Sequence, residues 1–289
     1  MNEEAFARHR SLLFTVAYEM LGSAADAEDV LQESWLRWSK VDHAEVHDPR
    51  AYLVRLVTRQ ALNRLRSLAR RREEYIGEWL PEPLSTSPAV SADLELVESL
   101  SMAMLTVLET LGPAERAVFV LREVFETSYD EIAEAVGKSP AAVRQIAHRA
   151  RDHVAARRPR MPVTITEQQQ AVDRFLAAVR NGNLQDLLDV LAPDVVGVSD
   201  GGGLGAAARR PIVGAERLAR FLIGVARSQD LQVRPIWING SPAARAELRG
   251  EVIAVVSFSI EDGRITRLYA ISNPDKLARL EGVTAVTRS

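Results

Sequence analysis

Four side chains between residues 144 and 149 have the chemistry to read the edges of DNA bases. Arg144, Gln145, His148 and Arg149 cannot all be buried, and apolar residues at 143, 146 and 147 supply the inward face of the same segment. Guanidinium and amide groups make paired hydrogen bonds to base edges in the major groove. The spacing therefore predicts a helix that turns a DNA-reading face outward.

The flanking sequence predicts how that helix is positioned. Ser128 starts a short helix, Gly137 ends it, and Ser139 with Pro140 starts the next one, since Ser is a good N-cap and Pro suits the first helical turn. Helix, glycine-containing turn and helix is the pattern of a helix-turn-helix. An ordinary helical hairpin is the alternative interpretation.

The charges are arranged in two acidic-then-basic blocks. Residues 3–48 hold 10 acidic and 4 basic residues, and residues 49–72 hold 8 arginines and no acid. Residues 109–134 then hold 7 acids and 2 bases, and residues 138–160 hold 7 bases and 1 acid. Such segregation indicates a basic face for a polyanion and an acidic face for another partner, with solvated helix faces as the alternative.

Apolar spacing predicts helices over 3–20, 26–38 and 51–72, with Gly22 ending the first and a polar loop over 41–48. Three prolines at 81, 83 and 88 mark residues 77–92 as a linker. Helices are predicted over 93–111 and 113–126. Beyond residue 160, helices over 166–181, 183–192 and 214–228 accompany strands near 195–199, 231–239, 243–249, 251–261 and 264–272. Helices against a curved antiparallel sheet make an α+β domain.

The composition excludes several classes of protein. The chain has 289 residues, no cysteine and five scattered histidines, so disulfides, thiolate chemistry and a histidine-built metal site are not expected. No apolar run approaches the roughly 20 residues of a membrane span. The charged N-terminus lacks an apolar stretch typical of a secretory signal. We expect a cytoplasmic protein of two or three domains, with no membrane contact and no cofactor.

Five strings carry a resemblance to a known family. Residues 26–38 (DAEDVLQESWLRW) resemble the core-binding helix of extracytoplasmic-function sigma factors, and residues 128–154 resemble their second DNA-binding domain. Residues 79–83 (WLPEP), 200–203 (DGGG) and 273–277 (NPDKL) are similar to the SigJ-like subgroup, which carries a fused SnoaL-like domain of the NTF2-like fold. The resemblance implies a region 2 domain over 1–75, a linker over 76–94, a region 4 domain over 95–160 and a SnoaL-like α+β cone over 163–289. The first two domains would be all-α.

The resemblance also implies roles for individual residues. Residues on the first acidic helix would contact the clamp helices of core RNA polymerase: Asp26, Asp29, Gln32 and Glu33. Residues of the basic helix would hold the minus-ten promoter element: Arg50, Arg55, Arg59, Asn63, Arg66 and Arg70. The minus-thirty-five element would face Arg144, Gln145, His148 and Arg149. The implied function is promoter-directed transcription initiation.

Two hypotheses remain for the C-terminal domain. In the first it is not an enzyme and regulates the sigma domains in cis, through Trp79, Leu80, Asp200, Asn273 and Asp275. We expect Trp79 and Leu80 to pack near residues 273–277, because an apolar pair in a linker would otherwise face water. In the second it is a small-molecule enzyme or ligand sensor, with Asp200 as an acid–base carboxylate. An Asp before three glycines is also typical of a simple turn.

Overall fold

The protein is described from a computed structural model. The structure describes residues 2–73, 75, 77–157, 163–203, 207–227, 230–280 and 282–288, except for the side chains of residues 2 and 69–73. Two compact units are present. Unit 1 comprises Met1–Glu74, Met104–Arg158 and Ala285–Ser289, and unit 2 comprises Tyr75–Ala103 and Pro159–Thr284.

The first half of unit 1 is a three-helix bundle of α1 (Asn2–Leu21), α2 (Ala24–Trp38) and α3 (Pro49–Glu73). Gly22 ends α1 with a positive φ of 68°, which glycine adopts without strain. Ser23 then caps α2 by accepting a hydrogen bond from the Asp26 N–H at 3.2 Å. Leucines of α1 and α3, including Leu13 and Leu53, are fully buried in the bundle core.

The second half of unit 1 contains the predicted helix-turn-helix. Helix α6 (Pro113–Phe119) runs into a π-helical turn (Val120–Val124), followed by α7 (Tyr129–Val136) and α8 (Pro140–Ala155). Ser128 and Glu131 form a reciprocal capping box on α7, and Ser139 caps α8. Gly137 lies between the two helices in the left-handed conformation, at φ 70°.

Unit 2 is built on a six-stranded sheet of order β2-β1-β6-β5-β4-β3. The strands are β1 (Leu191–Asp200), β2 (Ile212–Val213), β3 (Leu231–Ile238), β4 (Ser241–Leu248), β5 (Glu251–Glu261) and β6 (Arg264–Ile271). Only the β1–β6 pair is parallel among the paired strands. Two-residue turns with two positive φ angles connect β3 through β6, at Asn239-Gly240, Arg249-Gly250 and Asp262-Gly263. This geometry matches the right-handed twist of hairpins.

Helices pack on the sheet of unit 2 to form the cone. They are α9 (Ile165–Asn181), α10 (Leu184–Val190), α11 (Ala215–Ala226) and the short α12 (Pro274–Leu277). Buried residues of α9 and α10, such as Phe175 and Leu187, share one apolar cluster with Ile265 and Leu268 of β6. The predicted α+β layout is therefore present.

Residues 75–103 include the segment that the sequence predicts to be a linker. They belong to unit 2, and we call them the strap. Ser85 of the strap forms an antiparallel bridge with Ile238 at the edge of the sheet. The strap then continues into α4 (Leu94–Leu100) and the start of α5 (Met102–Leu108).

Two predicted helices also differ from the structure. The expected helix over 93–111 is broken at Ser101, whose ψ of 144° is extended and ends α4. The expected helix over 113–126 is α-helical only to Phe119 before the π turn. The boundary predicted between the region 4 domain (95–160) and the SnoaL-like domain (163–289) lies outside the described residues. Among the described helices, none has the length and apolar character needed to cross a bilayer.

Candidate nucleic-acid interface and strap-docking site

The predicted base-reading residues lie on the outer face of α8. Arg144, Gln145, His148 and Arg149 are exposed, while Val143, Ile146 and Ala147 are buried. His148 lies 3.0 Å from Asp152 one turn later, and the Arg144 guanidinium lies 5.5 Å from the centre of the Tyr129 ring. These contacts leave the outer side of the helix open for a groove of DNA.

The predicted minus-ten residues lie along α3. Arg50, Arg59, Asn63 and Arg66 are exposed and Arg55 is half-buried. The Arg66 guanidinium donates to the Asn63 side-chain oxygen at 3.4 Å. Arg55 and Arg59 instead engage Glu134 of α7. The side chain of Arg70 lies outside the described residues.

The predicted polymerase-contact residues of α2 fall into two groups. Asp26 and Asp29 both pair with Arg64 of α3, at 2.6 Å and 3.1 Å, and the side chain of Asp26 is only 17% exposed. The hydrogen bond to Asp26 raises the pKa of Arg64. Asp26 thus fastens α2 to α3, whereas Gln32 and Glu33 are exposed beside Leu36, which is itself 55% exposed.

In unit 2, Asp200 at the end of β1 is fully buried and accepts four hydrogen bonds. Oδ1 accepts from the Tyr75 hydroxyl at 2.5 Å and from the Gly202 N–H at 3.1 Å. Oδ2 accepts from the Leu80 N–H at 2.9 Å and from Lys276 Nζ at 2.7 Å. One ammonium group and three further donors therefore surround this buried carboxylate.

Lys276 of α12 binds the strap as well as Asp200. Its ammonium group donates to the Leu80 carbonyl and lies 4.1 Å from the centre of the Trp79 ring, a cation–π contact. Asn273 donates to the Tyr75 oxygen at 2.9 Å, and its Oδ1 accepts from the N–H of the exposed Asp275 at 3.0 Å. Burial, followed by the bond to Asp200, raises the pKa of Tyr75.

The Leu80 side chain packs on the face of the sheet opposite to the one covered by α9 and α11. It is 1% exposed and clusters with Met102 of the strap, and with Ile238, Val255 and Ile271 of the sheet. Further along, Asn239 accepts from the Leu84 N–H at 2.7 Å and donates to the Leu100 carbonyl at 2.8 Å. The strap is thus fastened along its length, and Trp79, Leu80, Asp200 and Asn273 are brought together.

Sequence reasoning missed Tyr75, Asn239 and Lys276 at this site, and Glu134 beside α3. Lys276 stands inside the recognised 273–277 string, so that string was a usable signal for it. Asn239 precedes a glycine in a hairpin turn, where Asn is explained by turn geometry alone. The sequence around Glu134 carries no signal for a partner on α3.

Comparisons with known proteins identify the family of the chain. The family models "Sigma-70 region 2" and "Sigma-70, region 4" match residues 5–71 and 101–154. The chain is 35% identical over 295 residues to the ECF RNA polymerase sigma factor SigJ of Mycobacterium tuberculosis, covering 96% of this chain and 93% of SigJ. The chain belongs to the extracytoplasmic-function sigma factors.

Two further likenesses place this sigma factor within the family. It is 33% identical over 278 residues to the probable ECF sigma factor SigI of M. tuberculosis, covering 94% of this chain and 93% of SigI. The crystal structure of M. tuberculosis SigJ matches with a TM-score of 0.78 at 32% identity, covering 96% of this chain and all of that one. The predicted fold class, two helical sigma domains and a C-terminal α+β domain, is confirmed.

Proposed function

We propose that the C-terminal domain of this sigma factor regulates promoter engagement in cis by holding the strap. The observation that carries the proposal is the fourfold hydrogen bonding of buried Asp200, which includes the Tyr75 hydroxyl and the Leu80 N–H of the strap. The strap is the only covalent connection between the two sigma-70 regions. Whatever holds the strap therefore limits how far those regions can separate.

The strap is fastened close to both of its ends. Tyr75 is bonded to Asp200 and Asn273, and Met102 is buried in the same apolar cluster as Leu80. Few residues separate these anchors from the sigma regions, because the region 2 match ends at residue 71 and the region 4 match begins at residue 101. Separating the regions thus requires at least one anchor to release.

The spacing of the two promoter elements sets how far the two sigma regions must separate. The names of the two elements place them about 25 base pairs apart, or about 85 Å along B-form DNA. A fully extended segment of about 30 residues reaches about 100 Å. The strap can span such a distance only when it is largely extended, and in the docked strap the 3-10 turn at Pro88–Ala92 and α4 shorten its second half.

The alternative of a functioning enzyme or ligand sensor has less support. Leu80 and Met102 cover the sheet face on which Asp200 lies, beside Val255 and Ile271. Asp200 could act as a general base only with a free lone pair near a substrate, and four donors surround it. A ligand would first have to displace the strap.

Transcription in vitro tests the proposal. Leu80→Ala removes a side chain that is 1% exposed, at a cost to docking of about 2–5 kcal/mol. We expect the full-length variant to give more promoter-directed transcript at limiting core polymerase than the wild type. Asp194→Asn, an exposed change on the same strand as Asp200, is the matched control. Equal output from all three proteins would overturn regulation in cis.

Point variants are preferable to truncation for this test. A chain ending before the C-terminal domain would also lose residues 285–288, which belong to unit 1. There the Thr287 N–H donates to the buried hydroxyl of Thr15 in α1 at 3.1 Å. Truncation would thus disturb region 2 directly.

We also propose the contact surfaces for polymerase and promoter. The exposed stripe of Asp29, Gln32 and Glu33 on α2 suits the clamp helices, because exposed charges steer and orient a protein partner. The outer faces of α3 and α8 suit the minus-ten and minus-thirty-five elements. Arginines on α3 would track phosphates, and those on α8 would contact base edges.

A further inference from the structure

Two arginines of the basic helix α3 are engaged within unit 1 by one residue of region 4. The Arg55 guanidinium pairs with the Glu134 carboxylate, and Arg59 Nη2 donates to the Glu134 backbone oxygen at 2.8 Å. The side chains of Arg55 and Glu134 are 35% and 61% exposed. The contact therefore lies where solvent, and a polyanion, can reach it.

Glu134 presents two negative features to these arginines. It lies in the last turn of α7, which ends at Val136. The carbonyl groups of a last helical turn lack helical partners and carry the negative end of the helix dipole. A carboxylate next to such a carbonyl resembles the oxygens of a DNA phosphate in charge and acceptor geometry.

The helix-turn-helix itself does not need the Glu134 side chain. Its neighbours Ala133 and Ala135 are buried in the helix pair, whereas the Glu134 carboxylate points away from that core to Arg55. A glutamine would preserve the helix and the backbone bond to Arg59. The carboxylate is thus available for a role that concerns α3.

A second contact holds the two regions together away from solvent. Arg116 of α6 is 1% exposed, pairs with Glu109, and donates from Nε to the Glu19 carbonyl of α1 at 3.0 Å. Burial lowers the pKa of Arg116 to about 9. Because this anchor keeps region 4 against region 2, Glu134 is held at high effective concentration beside α3.

We propose that Glu134 masks Arg55 and Arg59 in the free sigma factor by occupying the position of a DNA phosphate. Helix α7 and promoter DNA then compete for the same guanidinium groups, and DNA binding to α3 requires region 4 to leave. This inference rests on the proposed minus-ten role of α3. It assigns region 4 a second function, as the intramolecular ligand of the surface that DNA will use.

The test is DNA binding by the full-length chain with a labelled duplex that contains an unpaired bubble, at low salt. Glu134→Gln removes the charge and keeps the shape, and Asp130→Asn makes the same change at an exposed position of α7. We expect Glu134→Gln to bind about two- to five-fold more tightly than the wild type, the range for an exposed ion pair. Equal gains from both variants would overturn the mask.

A second measurement reports whether region 4 leaves α3. The chain has no cysteine, so Lys40→Cys and Lys138→Cys, both exposed, allow a specific dye pair across regions 2 and 4. We expect added DNA to lower the energy transfer, with the midpoint at a lower DNA concentration in Glu134→Gln. Binding without any change in transfer would also overturn the proposal.

Arg66→Gln separates the two levels of the argument. Arg66 lies on α3 and contacts Asn63 rather than region 4. If Arg66→Gln leaves DNA affinity unchanged, the minus-ten role of α3 is wrong and the mask fails with it. If Arg66→Gln weakens binding while Glu134→Gln has no effect, only the mask is wrong.

Discussion

Replacing Asp200 by Asn should release the strap from the C-terminal domain. The amide keeps one acceptor oxygen and puts an NH₂ donor where the carboxylate accepted two hydrogen bonds. Depending on the orientation of the amide, its NH₂ group then faces the donors of Tyr75 and Gly202 or those of Leu80 and Lys276. Lys276, whose side chain is 12% exposed, also loses its counter-ion.

The magnitude follows from these losses. Removing one partner of a buried ion pair costs about 3–5 kcal/mol, which is roughly a 150- to 5,000-fold shift in the opening equilibrium of the strap. Lys276→Met should cost less, about 1.5–3 kcal/mol, because Asp200 keeps three donors. The double variant has no unpaired charge, so its cost should fall short of the sum of the single costs by about 1–3 kcal/mol.

Hydrogen exchange followed by mass spectrometry measures the opening directly. The amide of Leu80 donates to Asp200 Oδ2, so a peptide that contains this amide reports the docked fraction. We expect fast exchange in Asp200→Asn, exchange in the double variant slower than the sum of the single costs would give, and wild-type exchange in Asp194→Asn. Unchanged protection of Leu80 in Asp200→Asn, or strictly additive single costs, would refute the reasoning.

Three other changes test the remaining surfaces. The double change Gln32→Lys and Glu33→Lys should abolish binding to core polymerase in a pull-down. The melting temperature should not change, because both side chains are exposed. Retained binding would exclude α2 as the contact. Arg144→Ala should cost about 1–3 kcal/mol of binding free energy at the cognate promoter and little on unrelated DNA. Arg66→Gln should weaken binding to both DNAs and flatten its salt dependence. The same loss of affinity in both variants on both DNAs would contradict base reading by α8. Gly202→Ala should destabilise unit 2 by about 1–3 kcal/mol in urea unfolding, because the φ of Gly202 is 63° and a Cβ there would lie 2.8 Å from Asn273. Gly224→Ala in α11, with open space around it, should be neutral or stabilising.

The sequence predicted those elements whose signals are local. The caps at Ser128 and Ser139 and the turn at Gly137 lie within a few residues of the helices that they bound, so the helix-turn-helix could be located accurately. The hairpin at Asp262-Gly263 was equally readable, because only a few residue pairs adopt two positive φ angles easily. The break at Ser101 had no such signal, since apolar spacing continues through it.

Contacts over long separations could not be read in this way. Arg59 and Glu134 are 75 residues apart, and periodicity shows only that each is on an outward face. The acidic helix α2 illustrates the same limit within one bundle. Its charges resembled a single polymerase-binding surface. In the structure, Asp26 forms an ion pair with Arg64 of α3, and this pair fastens the two helices.

Asp200 shows how one residue satisfies several interpretations at once. The turn interpretation has a physical basis, because the Gly202 N–H donates to Oδ1 at 3.1 Å, as an Asp side chain does in a local turn. The side chain is also fully buried, but it lies on the strap-covered face of the sheet beside Ile271, opposite to α9 and α11. What decides its use is the identity of the other three donors, which stand 76, 120 and 125 residues away in the chain. Two of those donors belong to the strap, so the Asp200 carboxylate is committed here to the chain itself. Under the proposed regulation in cis, the C-terminal domain would act on the sigma regions through this buried charge, provided that docking and release of the strap remain closely balanced.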